Sequence, residues 1–287
     1  MTLAVAKLRP GRLRLRRRHP AAVVASAGFL VVVALAGLLA PLLAPHDPDT
    51  TSLLNSLAPP GTEGHLLGTD STGRDVLSRV MYGARLSLLA PLGVVALSLV
   101  LGTALGLLAA RAGGWADAVI SRGMDVVFAF PGLLLAILAS AVTGPGLTAP
   151  VCALAVAYTP FIGRIVRSAA VQEGARPYLE ASRVLGYGEV SVTLRHLLPN
   201  ILPVLVAQSA LAFGYALVDL ASLSYLGLGV RPPAADWGSM ISQAQSAILQ
   251  GSPWSGLVPG VAVLLTVIAV NVLGGHLGGT IARKQDT

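Results

Sequence analysis

Covalent chemistry has few places to reside in this chain. Its five histidines (His19, His46, His65, His196 and His276) form no His-Glu-x-x-His pair for zinc, and no Gly-x-Ser-x-Gly turn presents a nucleophilic serine. A phosphate-cradling loop needs Gly-Lys-Ser/Thr, yet Lys7 follows Ala6 and Lys284 follows Arg283. Cys152 is the single cysteine, so neither an intrachain disulfide nor a cysteine metal cluster can form, and its apolar surroundings suit a small buried hydrophobe. What remains are two carboxylates, Asp125 and Asp219, set within or beside long apolar runs. An ionisable group in such a setting faces an interior cavity or pairs with another helix. Both readings are open for Asp219, with Tyr225 a second candidate wall residue, whereas Asp125 suits a helix cap or an ion pair. Such residues can hold a solute without transforming it, so any energy must come from another protein or from an ion gradient.

The elements that position these residues follow from composition. Of 287 residues 54% are hydrophobic and 11% charged, and the mean hydropathy is +0.73. A soluble domain carries roughly a quarter charged residues, so the apolar excess here must face lipid. The net charge of +7 does not indicate nucleic acid, because seven of the 20 basic residues crowd into the first 18 positions and aromatics make up only 5%. A tail of this kind (residues 1–20) suits the anionic inner leaflet.

Six apolar runs reach the ~20 residues that a membrane crossing needs: Ala21–Leu43, Ala84–Ala110, Ala118–Val142, Leu147–Ser168, Leu197–Leu228 and Ser255–Ile281. The first is longer than the ~7–15 residues of a cleavable signal core and reads as an uncleaved signal anchor. Placing the N-terminus inside leaves sixteen Lys and Arg on the inner side and four (Arg74, Arg79, Arg85 and Arg231) on the outer. That asymmetry puts both termini in the cytoplasm. The outer loop 44–83 is rich in Pro, Gly, Asp and Thr, and Thr72 with Asp75 forms the pattern that caps a helix before Val76. No internal repeat is visible, and one membrane domain (84–281) is expected, followed by a short tail (282–287).

The inner segment Glu173–Asn200 is the most informative stretch. Pro177 suits a first helical turn and Gly186 the left-handed residue after the last one, which predicts a short helix over Pro177–Leu185. A second, Glu189–His196, has its acid early and Arg195 and His196 late, as a helix dipole favours. Two short helices with a sharp bend make a stiff projection, and the small residues Ala181 and Ser182 let a partner approach closely. Coupling to a soluble motor and an ordinary amphipathic inner loop are both compatible with these features.

Glu180-Ala181-Ser182-x3-Gly186, followed by Leu198-Pro199, resembles the EAA loop of ABC importer permeases. Ser182 and His196 stand where that pattern has Ala and Ile. Gly68-Thr69-Asp70-x-x-Gly73-Arg74-Asp75, Phe128-Ala129-Phe130-Pro131 and Leu223–Val230 with Pro232-Pro233 and Asp236-Trp237-Gly238 resemble, in order, further motifs of the peptide/nickel branch and of its C-type subunit. Two departures are Arg231, where the branch has Gln, and the glycine-rich stretch Leu273–Gly279, where it has a more charged ending.

The resemblance implies an all-α membrane protein with six transmembrane helices and the type I ABC importer permease fold, in the plasma (inner) membrane of a prokaryote. It implies a second permease subunit, two ABC ATPase subunits and an extracytoplasmic substrate-binding protein or lipoprotein. No cofactor is expected in this chain, since ATP and Mg would sit on the ATPases. Glu180, Ala181, Ser182, Gly186, Leu198 and Pro199 would contact those ATPases, and the solute would be a di- or oligopeptide. A nickel chelate or glutathione is the alternative within the branch. Outside it stand an ion-gradient-driven transporter, which should show inverted repeats, and an intramembrane enzyme, which needs facing catalytic groups.

Overall fold

The computed structural model describes residues 20–230 and 233–285; most of the basic tail, and Arg231 and Pro232, lie outside them. Among the described residues the regular structure is helical, apart from two isolated bridges in the outer loop. Helix α1 (Pro20–Leu38) breaks at Leu39 before the single turn α2 (Ala40–Leu43). Helix α3 (Val76–Ala112) begins eight residues before the expected span, because its opening turn is polar and hidden. Its cap is Asp75: Oδ2 accepts from the Ser78 N–H at 2.8 Å and from the Ser78 hydroxyl at 2.7 Å. Thr72, the expected capping partner, donates instead to Asp70 at 2.7 Å.

The third expected span is broken. Helices α4 (Gly114–Phe128) and α5 (Gly132–Thr143) meet at 72° across Ala129-Phe130-Pro131. Proline has no N–H to continue the ladder and forces the preceding residue away from the helical region, so the chain stops and restarts there. Helix α6 (Thr148–Gly174) returns, followed by the short α7 (Pro177–Val184) and α8 (Glu189–Val192). The second short helix does not stand alone. A π-turn, Thr193–Leu197, joins α8 to α9 (Leu198–Tyr225), making one 37-residue rod from Glu189 to Tyr225. Two short helices absent from the sequence reading, α10 (Trp237–Gln243) and α11 (Gln245–Leu249), precede α12 (Trp254–Gln285). Among the described residues five helices are long and apolar enough to cross a membrane, and the count of six is reached when the bent α4–α5 pair is one crossing.

Glycine sets the closest helix crossings. A Cβ on Gly106 would lie 2.5 Å from the Gly163 carbonyl, and one on Gly102 2.8 Å from that of Thr159, so Gly102-x3-Gly106 lets α3 lie against α6. The glycine-rich stretch near the C-terminus does the same for α12 and α9: a Cβ on Gly274 would run into the Ala210 Cβ, and one on Gly278 would lie 2.8 Å from the Pro203 carbonyl. Of the positions that depart from the branch pattern, Gly278 serves this packing, whereas Gly279 has open space around it. Cys152, expected to be buried, is exposed on α6.

Candidate functional site

Two regions collect the residues singled out in the sequence, and one rod connects them. At the end assigned to the cytoplasm, α7 projects beyond α6. Leu179 anchors it: the side chain is fully buried in a cluster with Ile162, Val166, Ala170, Val192, Leu197, Ile201 and Leu205. Tyr178 ties the base, donating to Glu173 Oε1 at 2.7 Å while accepting from Asn200 Nδ2 at 2.5 Å. Burial and the Glu173 carboxylate push the Tyr178 phenol above its ordinary pKa. Helix α7 ends at Val184, one residue short of the expected boundary, and beyond its cap Leu185 comes Gly186 at φ +87°, the left-handed turn that the sequence requires there. Arg183 pairs with Glu189 at 2.9 Å and closes the bend.

Glu180 and Ala181 lie on the exposed side of α7, and Glu180 has no polar partner among the described residues. Ser182 is partly covered and donates back to the Tyr178 carbonyl at 2.9 Å. Around them Val184, Leu185, Tyr187, Val190 and Leu194 are all exposed, with Val184 at 88% and Leu185 at 76%. An apolar patch of this kind on a rigid stalk marks a contact surface. Leu198 and Pro199, at the start of α9, belong to the root of the stalk, not to its tip.

Halfway through the bundle, the bend between α4 and α5 opens a cavity of about 320 Å³. It is lined by Phe128, Phe130, Pro131, Gly132, Ala157, Tyr158, Phe161, Ala212, Tyr215 and Asp219. Asp219 accepts from the Tyr158 hydroxyl at 2.8 Å, so it both pairs with another helix and faces the cavity. The cavity is open where Phe128, Phe130 and Tyr215 stand 51%, 58% and 61% exposed. A carboxylate on a lipid-facing surface would cost about 2.5–3.5 kcal/mol on insertion scales. That face is therefore suited to a watery path or a partner helix. Tyr225 does not share this cavity. It lines a separate, more apolar groove of about 310 Å³ between α9 and α10 and accepts from Gln245. Asp125 pairs with Arg164 at 2.9 Å, whose guanidinium also lies 4.3 Å from the centre of the Phe128 ring.

Sequence reasoning missed the outer cap. Asp70 receives Thr72, the Arg74 backbone N–H at 3.0 Å and the Arg74 guanidinium at 2.8 Å. Burial works against its charge, but these donors outweigh it and hold the carboxyl below the ordinary carboxylate range. Arg79, 1% exposed, lies 3.8 Å from Asp70, and Gln243 of α10 accepts from both arginines. Beside this knot His65 bonds Asp75 at 2.9 Å and stacks on His46 with ring centres 4.7 Å apart. These three residues offer ligand atoms within 4.8 Å of one another, but Asp75 is already engaged, Oδ2 as a helix cap and Oδ1 by His65. Only the Gly-Thr-Asp spacing signalled the cap; its partner Gln243 is too distant in sequence to be foreseen.

Comparison with known proteins gives a consistent result. The family model described as "Binding-protein-dependent transport system inner membrane component" matches residues 102–283, and "N-terminal TM domain of oligopeptide transport permease C" matches 13–60. The chain is 40% identical over 261 residues to the di/tripeptide transport system permease protein DppC of Pseudomonas aeruginosa, covering 89% of this chain and 86% of that one. It is 38% identical to the dipeptide transport system permease protein DppC of Haemophilus influenzae, covering 89% and 88%. It is also 38% identical to the glutathione transport system permease protein GsiD of Pectobacterium atrosepticum, covering 94% and 89%. Among solved structures, an inward-facing form of the MetNI methionine ABC transporter superposes with a TM-score of 0.58 over 71% of this chain and 96% of that one, at 21% identity. That last likeness speaks to the fold alone.

Proposed function

The chain belongs to the family of binding-protein-dependent transport system inner membrane components, and from that premise we propose that it is the permease of a peptide importer driven by separate ATPases. The observation that carries this reading is the single rod from Glu189 to Tyr225. One end adjoins the bend and the exposed apolar patch around Gly186; the other carries Asp219 into the cavity. ATPase subunits would grip Glu180, Ala181, Ser182 and the patch from Val184 to Leu194. Their closure would tilt the rod and reshape the Asp219 cavity, which forms one wall of the solute path, the other wall coming from a second permease. Tyr225 would sit toward the outer mouth, and a binding protein or lipoprotein would deliver solute to that side. The setting is the inner membrane of a bacterium, as the relatives' names suggest. Among substrates we favour di- and tripeptides, since most of the relatives compared are named for them, with glutathione, itself a peptide, as the second reading from GsiD.

Reconstitution of the permease pair, ATPases and binding protein tests this. ATP-dependent uptake of labelled Ala-Ala into proteoliposomes is expected, with none when the ATPases are left out. Uptake at full speed by this chain alone, without nucleotide, would refute the reading.

A further inference from the structure

Asp219 is an acid without a cation. Its Oδ2 accepts from Tyr158, and among the described residues no Lys, Arg or His pairs with it. The lining of the cavity is rich in aromatics: Phe128, Phe130, Tyr158, Phe161 and Tyr215 make up half of the lining residues. Rings around a carboxylate attract a cation twice over, through the negative π faces and through the full charge. Phe128 already carries Arg164 at 4.3 Å from its ring centre, so this wall accepts cations, but that guanidinium is committed to Asp125. The shape of the donor set excludes most cations. A hard metal ion wants six or more oxygen ligands, and here one carboxylate meets a single phenolic oxygen, that of Tyr158. An ammonium group carries three N–H donors, for which the Asp219 carboxylate and the Tyr158 phenolic oxygen are acceptors, and the aromatic collar suits its charge. The volume, about 320 Å³, is at the lower end of the ~300–1,000 Å³ of small-ligand pockets, enough for one terminus of a short peptide.

We propose that the Asp219 cavity is a subsite for a primary ammonium group of the solute, the free N-terminus of a short peptide. This rests on the peptide-importer reading and adds a selective element inside the permease itself, separate from any selection by a binding protein. Tyr158 positions the carboxylate, and Phe130 and Tyr215 flank the arriving cation.

The test uses the purified permease–ATPase complex without its binding protein, so that selection by the receptor does not enter. Saturation-transfer NMR would be recorded with Ala-Ala, N-acetyl-Ala-Ala and N-acetyl-Ala-Lys. The expected pattern is a signal for Ala-Ala, roughly tenfold weaker for N-acetyl-Ala-Ala, as the loss of one charge-assisted bond implies. Asp219→Asn should abolish that difference, and Asp219→Glu should partly restore it. If Asp219→Asn prevents assembly, Tyr215→Ala, at an exposed position, should still weaken Ala-Ala alone. Equal signals for the free and acetylated peptides in the wild type would overturn the proposal. A signal from N-acetyl-Ala-Lys with none from Ala-Ala would move the subsite to side chains and overturn its assignment to the N-terminus. Uptake of Ala-Ala by the complete wild-type system separates the two readings: if it fails, the peptide function itself falls.

Discussion

At the scale of single residues, Gly186 carries the sharpest prediction. Its φ of +87° lies where an L side chain costs about 1–2 kcal/mol, and more when β-branched, although nothing within 4 Å would clash with a Cβ. Gly186→Val should therefore spare the bundle and binding-protein docking while abolishing stimulation of ATP hydrolysis, and Gly186→Asn should retain part of it. Unchanged stimulation in the Val variant would remove Gly186 from the coupling role. Asp70 makes the second residue-level case. Because its folded pKa is lowered, the stability it supplies is complete above the ordinary carboxylate value of about 3.9 and is lost as pH falls through the lower folded value. The outer cap should thus resist protease at neutral pH and loosen only in stronger acid. Asp70→Asn should weaken it at neutral pH by up to about 3–5 kcal/mol, since Arg74 would lose its carboxylate and the buried Arg79 its nearest anion. Limited proteolysis of the loop 44–75 across pH reads both effects.

Elements explain which features the sequence disclosed and which it did not. The bend at Gly186 was legible because a proline, a glycine and the eight residues between them specify it locally. The span count was legible because apolar length alone decides it. The break between α4 and α5 was only half legible. Pro131 announced an interruption, but its angle of 72° is set by how Gly132 and Phe128 meet α6, which no local signal encodes. The early start of α3 was illegible, because Arg79 enters the apolar interior only by virtue of Asp70 and of Gln243, 164 residues away. Helix α10 was illegible for the same reason: Trp237 is buried by donating to the Val80 carbonyl at 3.1 Å, a contact across most of the chain. The glycine crossings give a test at this scale. Gly106→Leu should lower the melting temperature of the purified complex by an amount corresponding to about 1–3 kcal/mol of overpacking or more. Gly123→Ala, with open space around it in α4, should be neutral or slightly stabilising.

For the whole molecule, the arrangement places a polar, densely bonded cap on one side, an apolar bundle in the middle and an exposed apolar stalk on the other. The arginine distribution assigns these sides to outside and inside. With Cys152 replaced by Ser, single cysteines at Glu63 and Tyr187, both exposed, should report this directly. A membrane-impermeant thiol reagent applied to intact cells should label position 63 and spare 187; the reverse labelling would invert the topology.

The continuity of the helix from Glu189 to Tyr225 fixes an angular phase as well as a distance. Each residue in it turns the next by about 100°. One residue inserted between Leu197 and Ala207 would therefore swing Asp219 away from Tyr158 and out of its cavity, however well the stalk were held. The same insertion at Tyr187, before the rod begins, would leave the phase of Asp219 intact and disturb the bend alone, where Arg183 meets Glu189. The two insertions should therefore fail differently, one at the cavity and the other at the stalk.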